Sequence, residues 1–183
     1  MDFYYQIFSA NIDYDNIVAK IEKAGIQIME MNLGYLRKFF IIPFHVDDLI
    51  DFDRVVSKIF GDVVVKYLLF AHIDFRRIIE ASDKLDINIL DINISHLSGE
   101  IEKKCEDEIK GFMNCKDSVA ILKSIHDNAV LIKNISFAFH NTNCIKLYGS
   151  GVICADTNLF ESTELQKLVI EILKITKGVF DDD

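Results

Sequence analysis

The run from Asp62 to Asp74 constrains the fold more than any other stretch. Val63, Val64, Val65, Tyr67, Leu68, Leu69, Phe70 and Ala71 follow one another with only Lys66 intervening. Side chains alternate between the two faces of a strand, so an unbroken β-branched and aromatic run places apolar groups on both. Gly61 and Asp62 precede the run and an Asp-led helical pattern follows it. Residues 62–71 therefore read as a central strand, one that needs helices or a second sheet on each side.

Upstream, Phe3–Phe8 reads as a short aromatic strand. A helix carrying Tyr14, Ile17, Val18 and Ile21 follows, capped by Asp13, with Ile12 and Ile17 at the spacing of a hydrophobic staple and Gly25 closing it. Strands are expected over 26–31 and 35–44, joined through Asn32-Leu33-Gly34, with Pro43 at a strand end or an exposed edge. Residues 45–60 have helical periodicity and Gly61 stands in the C-cap position. The order strand, helix, strand, strand, helix, strand over residues 3–70 resembles the split βαβ arrangement of ferredoxin-like folds.

The second half opens with Asp74 as an N-cap, Ile73 and Ile78 repeating the staple spacing, and Phe75, Ile78, Ile79, Ser82 and Leu85 on one helix face. Over 87–94, Leu90, Ile92 and Ile94 share one side of a half-buried strand. Residues 98–114 form the most polar helix, with Ile101, Cys105, Ile109 and Phe112 as its narrow apolar stripe. Another helix starts at Asp117 or Ser118. A strand over 129–139 turns back into 144–148, Gly149-Ser150-Gly151 makes a second turn or a bulge, and 152–155 returns. Thr163 and Gln166 have capping-box spacing for a last helix that Gly178 closes. The expected fold class is α/β of the α+β kind: a mixed β-sheet flanked by helices, with 1–183 as a single domain whose sub-units are 1–71 and 72–183.

At 183 residues, half of them hydrophobic, the chain can bury a sizeable core, and this composition excludes general disorder. Its 20 Lys and Arg against 29 Asp and Glu give a net charge of −9, which disfavours direct contact with a nucleic-acid backbone. Cys105, Cys115, Cys144 and Cys154 form no CxxC pair, and the first residues lack the basic segment of a secretion signal. Free thiols and a cytoplasmic location are the expectation, without membrane insertion, because no apolar run approaches the roughly 18 residues of a membrane span.

Motifs for chemistry are sparse. Gly149-Ser150-Gly151 lacks the Lys-Ser/Thr pair of a phosphate loop, and His45, His72, His96, His126 and His140 show no zinc-ligand spacing. Neither a cofactor nor a metal is expected. His72 and Asp74 sit at the end of the 62–71 strand, where open α/β sheets bind ligands, and Asp156 follows another strand. Each also has an ordinary structural role available: Asp74 as a helix cap, His72 covering a strand end, Asp156 in turn chemistry. Charge is the remaining feature. Asp47, Asp48, Asp51 and Asp53, beside Phe52, crowd one segment, and Glu100, Glu102, Glu106, Asp107 and Glu108 crowd another. Either is a solvated face or a docking surface for a basic partner.

These features favour a small acidic protein that binds and occludes a basic protein partner, as immunity proteins of bacterial toxins and inhibitors of nucleic-acid enzymes do, through Asp47, Asp48, Asp51, Phe52 and Asp53. Two other readings stand beside it. One is an enzyme of unknown reaction with a site at strand ends near His72, Asp74 and Asp156; the other is a homo-oligomeric structural protein.

Overall fold

The structure, a computed structural model, describes residues 2–10, 14–32, 38–44, 65–140 and 143–177. In chain order the described elements are β1 (Phe3–Ala10), α1 (Tyr14–Lys23), β2 (Met29–Asn32), β3 (Lys38–Phe44), β4 (Val65–Tyr67), α2 (His72–Glu80), β5 (Ile87–Ser95), α3 (Gly99–Asn114), α4 (Ser118–Asp127), β6 (Leu131–Phe139), β7 (Asn143–Tyr148), β8 (Val152–Ala155) and α5 (Thr163–Lys177). The strands form one sheet in the order β2-β3-β1-β8-β7-β6-β5, with β4 pairing β1 off this path. Every adjacent pair is antiparallel. With helices flanking this sheet, the α+β class expected from the sequence is the one found. β4, β1, β3 and β2 lie side by side, but the helix expected over 45–60 lies outside the described residues, so the ferredoxin-like element order expected for residues 3–70 is not confirmed.

The two faces of the sheet are covered differently. Tyr5, Ile7, Phe39 and Ile41 point into a large core with Phe75 and Ile78 of α2, Cys105 and Ile109 of α3, Ile121 of α4 and Leu168 of α5. Phe8, Phe40 and Ile42 point the other way, into a smaller core with Ile17, Val18 and Ile21 of α1. β1 and β3 are thus the strands buried on both faces. Phe8 and Phe40 stack across them at 5.2 Å between ring centroids. Burying a side chain of this size contributes about 1.5–3 kcal/mol.

The central position expected for 62–71 is therefore not borne out where that run is described. Its described strand, β4, is three residues long and, among the described residues, pairs with β1. Beyond it, Leu68 and Phe70 are buried while Leu69 is 64% exposed, an alternation that marks a one-faced segment. The second half of the sheet extends beside β1 instead, through the pairing of Phe3–Gln6 with β8. β8 and β4 share that edge of β1 end to end, and the chain after β4 leaves the edge at their junction. Leu68 donates to the Ile7 carbonyl at 3.0 Å, and Phe70 to the Gly149 carbonyl at 2.9 Å.

Gly151 makes this junction possible. It turns β7 into β8 with φ +80°, and a Cβ there would lie 1.8 Å from the Leu68 carbonyl oxygen. Only glycine combines that backbone conformation with so close an approach. Gly149-Ser150-Gly151 is accordingly a hairpin turn, one of the two outcomes its sequence allowed.

Two other local expectations shift. β5 carries an extra residue, Leu90, because Ile89 pairs with Phe137 and Asp91 with Ser136. The bulge changes the phase, so Ile87 and Ile89 before it and Ile92 and Ile94 after it all face the core, whereas Leu90 is 46% exposed. α2 begins at His72, with Ala71 as its N-cap residue. Asp74 is the third helical residue and accepts the Ala71 N–H at 2.7 Å, and Ile73 is exposed instead of forming a staple. For α5 the capping hydroxyl is Ser162, which accepts from Leu165 N–H, while Gln166 donates back to the Leu159 and Phe160 carbonyls. Of the two starts the sequence allows for α4, Asp117 is the cap, accepting the Ala120 N–H, and Ser118 is the first helical residue.

Candidate binding cavity

Each residue proposed for catalysis is occupied by the fold. The His72 Nδ1 accepts the Ile132 N–H at 3.1 Å, closing the start of β6. Burial, with the Arg76 charge nearby, holds this imidazole below its ordinary pKa and so keeps it a neutral acceptor. Asp74 is buried and also meets the Lys177 ammonium at 2.7 Å, so it ties the first turn of α2 to the end of α5. Lys177 lies 4.8 Å from the centre of the Phe70 ring and donates to the Leu69 carbonyl. Asp156 accepts the Cys144 N–H at 2.9 Å and the Thr157 hydroxyl at 3.2 Å, which is turn chemistry.

Nor do these three converge. His72 binds at Ile132, whereas Asp156 binds at Cys144, which pairs with Ala138 six residues further along β6. At about 3.3 Å per residue those points are about 20 Å apart. The structure brings His72 and Asp74 together on the first turn of α2 and leaves Asp156 at the opposite end of the sheet.

The acidic clusters fare unequally. Asp47, Asp48, Asp51, Phe52 and Asp53 lie outside the described residues. On α3, Glu102 accepts the His96 N–H at 2.7 Å. Glu108 accepts the Ser124 hydroxyl at 2.7 Å and lies 3.8 Å from Lys104. The Ser124 bond lowers the Glu108 pKa, and the pair forms part of the α3–α4 contact around buried Cys105. Two of the five α3 carboxylates therefore serve the fold, leaving Glu100 and Asp107 exposed and Glu106 half-buried. All four cysteines are free thiols, and burial pushes Cys105, Cys144 and Cys154 up. Among the described residues no group of three or more His, Cys, Asp or Glu could hold a metal ion, and no helix is long and apolar enough to cross a membrane.

Other polar groups gather around a cavity of about 430 Å³ at the start of β5. Three turns build it. The turn from α2 to β5 supplies Ser82, Asp83 and Asp86, the turn from α3 to α4 supplies Lys116 and Ser118, and the end of β6 supplies His140. Ile87, Ile89, Met113 and Ile121 form its apolar part. Its volume lies in the lower half of the roughly 300–1,000 Å³ range of small-ligand sites.

The backbone of these turns is unusual. Asp86, Lys116 and His140 have φ of 52°, 54° and 51°, the left-handed region that residues other than glycine seldom occupy. At Lys116 the helical hydrogen bonds explain it: Lys116 N–H donates to the Met113 carbonyl and Asp117 N–H to that of Phe112, the paired bonds of a left-handed C-cap. Asp86 has the same pair through Asp83 and Ser82. His140 lies against the Phe139 ring at 3.9 Å and faces two carboxylates, Asp86 at 3.6 Å and Glu164 at 4.0 Å. None of these residues stood out in sequence. Glycine is the usual residue at such left-handed positions, and here aspartate and lysine take its place after helical turns and histidine after a strand.

Compared with protein-family models, with curated proteins and with solved structures, the chain matches none.

Proposed function

We propose that the chain is a small acidic cytoplasmic binding protein that acts by occluding a basic protein partner. The observation that supports this most is the contrast in how its polar groups are used. His72, Asp74 and Asp156 are spent on helix, strand and turn hydrogen bonds, whereas the carboxylates of Asp86 and Glu164 are 84% and 72% exposed. Exposed carboxylates in a chain of net charge −9 create a field that steers a cationic partner and selects against acidic ones. Asp47, Asp48, Asp51 and Asp53 are the first candidates for the contact, with Phe52 as an apolar anchor. Glu100, Glu106 and Asp107 on α3 are the second, because Glu102 and Glu108 are already engaged.

The test is affinity purification from the native host followed by binding kinetics with the recovered protein. Added salt should slow association far more than it speeds dissociation, since charges are screened over about 8–10 Å at physiological ionic strength. Changing Asp47, Asp48, Asp51 and Asp53 to Asn together should slow association with the fold intact. Unchanged affinity and salt dependence after both clusters are neutralised would refute the proposal.

A further inference from the structure

The cavity at the start of β5 carries charge of both signs on separate turns. Asp83 and Asp86 come from the turn between α2 and β5; Lys116, with the Ser118 hydroxyl two residues on, comes from the turn between α3 and α4. A purely cationic ligand would face Lys116, and a purely anionic one would face both aspartates. Either would leave a like charge nearby at the cavity rim, where all three charged groups are exposed, and like-charge juxtaposition lowers affinity. A ligand with both charges satisfies both turns.

A second observation comes from Ser82. This serine lines the cavity and adds a hydroxyl to its wall. A hydroxyl there can donate to or accept from a bound polar group. The apolar part of the lining is small: the half-buried Met113 and the edges of Ile87, Ile89 and Ile121, each less than a tenth exposed, suit a compact hydrocarbon side chain.

We infer that this cavity binds a small zwitterion of the α-amino-acid type with an apolar side chain. Its ammonium lies toward Asp83 and Asp86, its carboxylate toward Lys116 and Ser118, and its side chain on the isoleucines and Met113. The site uses neither the 47–53 cluster nor the α3 carboxylates, and shares only Asp86 with the exposed carboxylates that support the docking reading.

The probes are L-leucine and L-phenylalanine, with isoamylamine and 4-methylpentanoate as the two halves of leucine that keep one charge each. Binding is read from amide NMR shifts of Ile87, Ile89, Lys116 and Ser118 during titration of the full chain. At least one of the amino acids should give saturable shifts confined to these turns, and each half-ligand should bind at least tenfold more weakly, the factor that about 1.4 kcal/mol of lost interaction produces. Lys116→Met and Asp83→Asn should each weaken the binding amino acid at least tenfold. Both residues are exposed, so the melting temperature without ligand should stay unchanged and unfolding should not confuse the result. Absence of saturable shifts with both amino acids would overturn the inference. So would isoamylamine binding as tightly as leucine, or Lys116→Met leaving amino-acid affinity intact.

Discussion

Replacing Gly151 with alanine tests the junction on which the sheet depends. Two costs add. An L-residue held at φ +80° is strained by about 1–2 kcal/mol. The new Cβ would also stand 1.8 Å from the Leu68 carbonyl oxygen, a backbone atom that cannot rotate away. Relief requires the two segments to part by more than 1 Å, because Cβ atoms essentially never approach within 3.0 Å of another heavy atom. A movement of that size breaks the bonds from Leu68 N–H to Ile7 and from Phe70 N–H to Gly149, now 3.0 and 2.9 Å long. Each buried bond lost costs about 1 kcal/mol or more. The sum is roughly 3–6 kcal/mol, or on the order of 10–20 °C in melting temperature for a chain of this size. Urea unfolding of the purified variant measures it. Gly25 and Ala129 calibrate the strain alone. Gly25 has φ +73° with nothing within 4 Å of its missing Cβ, so alanine there should cost only about 1–2 kcal/mol. Ala129 is an exposed left-handed C-cap residue at φ 50°, closed by Val130 N–H to the Ile125 carbonyl, and glycine there should stabilise by about 1 kcal/mol. A Gly151→Ala loss no larger than that of Gly25→Ala would show that β4 and β8 do not abut as described.

Leu68→Asp should destabilise severely and Leu69→Asp by under about 1 kcal/mol, because the first side chain is 8% exposed and the second 64%; equal effects in thermal melts would contradict the one-faced segment after β4. The lowered His72 pKa predicts a loss of stability in acid: the unfolded chain binds a proton as pH falls below about 6.5, while the folded imidazole takes it up only at lower pH and then loses its acceptor for Ile132 N–H. His72→Gln keeps an acceptor without titrating, so wild type should lose stability relative to it between about pH 7 and pH 5 in urea unfolding, and parallel curves would refute this role. A disulfide reagent should modify exposed Cys115 first and buried Cys105 last, at the rate of unfolding; rapid labelling of Cys105 would show that the α3–α4 contact opens readily.

The elements that sequence alone determined are those whose signals are local. α4 begins where Asp117 offers its carboxylate to Ala120 N–H, and the narrow stripe of α3 buries Cys105 and Ile109 as its spacing requires. At Gly149-Ser150-Gly151 the sequence marked the place of the break between β7 and β8, while the close approach of Leu68 goes with a turn there in place of a bulge. Tertiary structure decided which strand lies at the centre. The apolar run at 63–71 has the composition of a central strand, but composition measures only what a segment can bury. β1 holds that place because β3, β4 and β8 all pair with it, and β8 arrives from about 150 residues away in sequence. The phase of β5 was likewise settled by its partner: only the pairing with β6 shows that Leu90 is the extra residue. The cavity was the least legible feature. Ser82, Lys116 and His140 belong to three turns with no common motif, and they meet only because α2, α3 and β6 all end at the same end of the sheet. Long-range pairing and helix packing set such neighbours, and neither leaves a periodic trace in the chain.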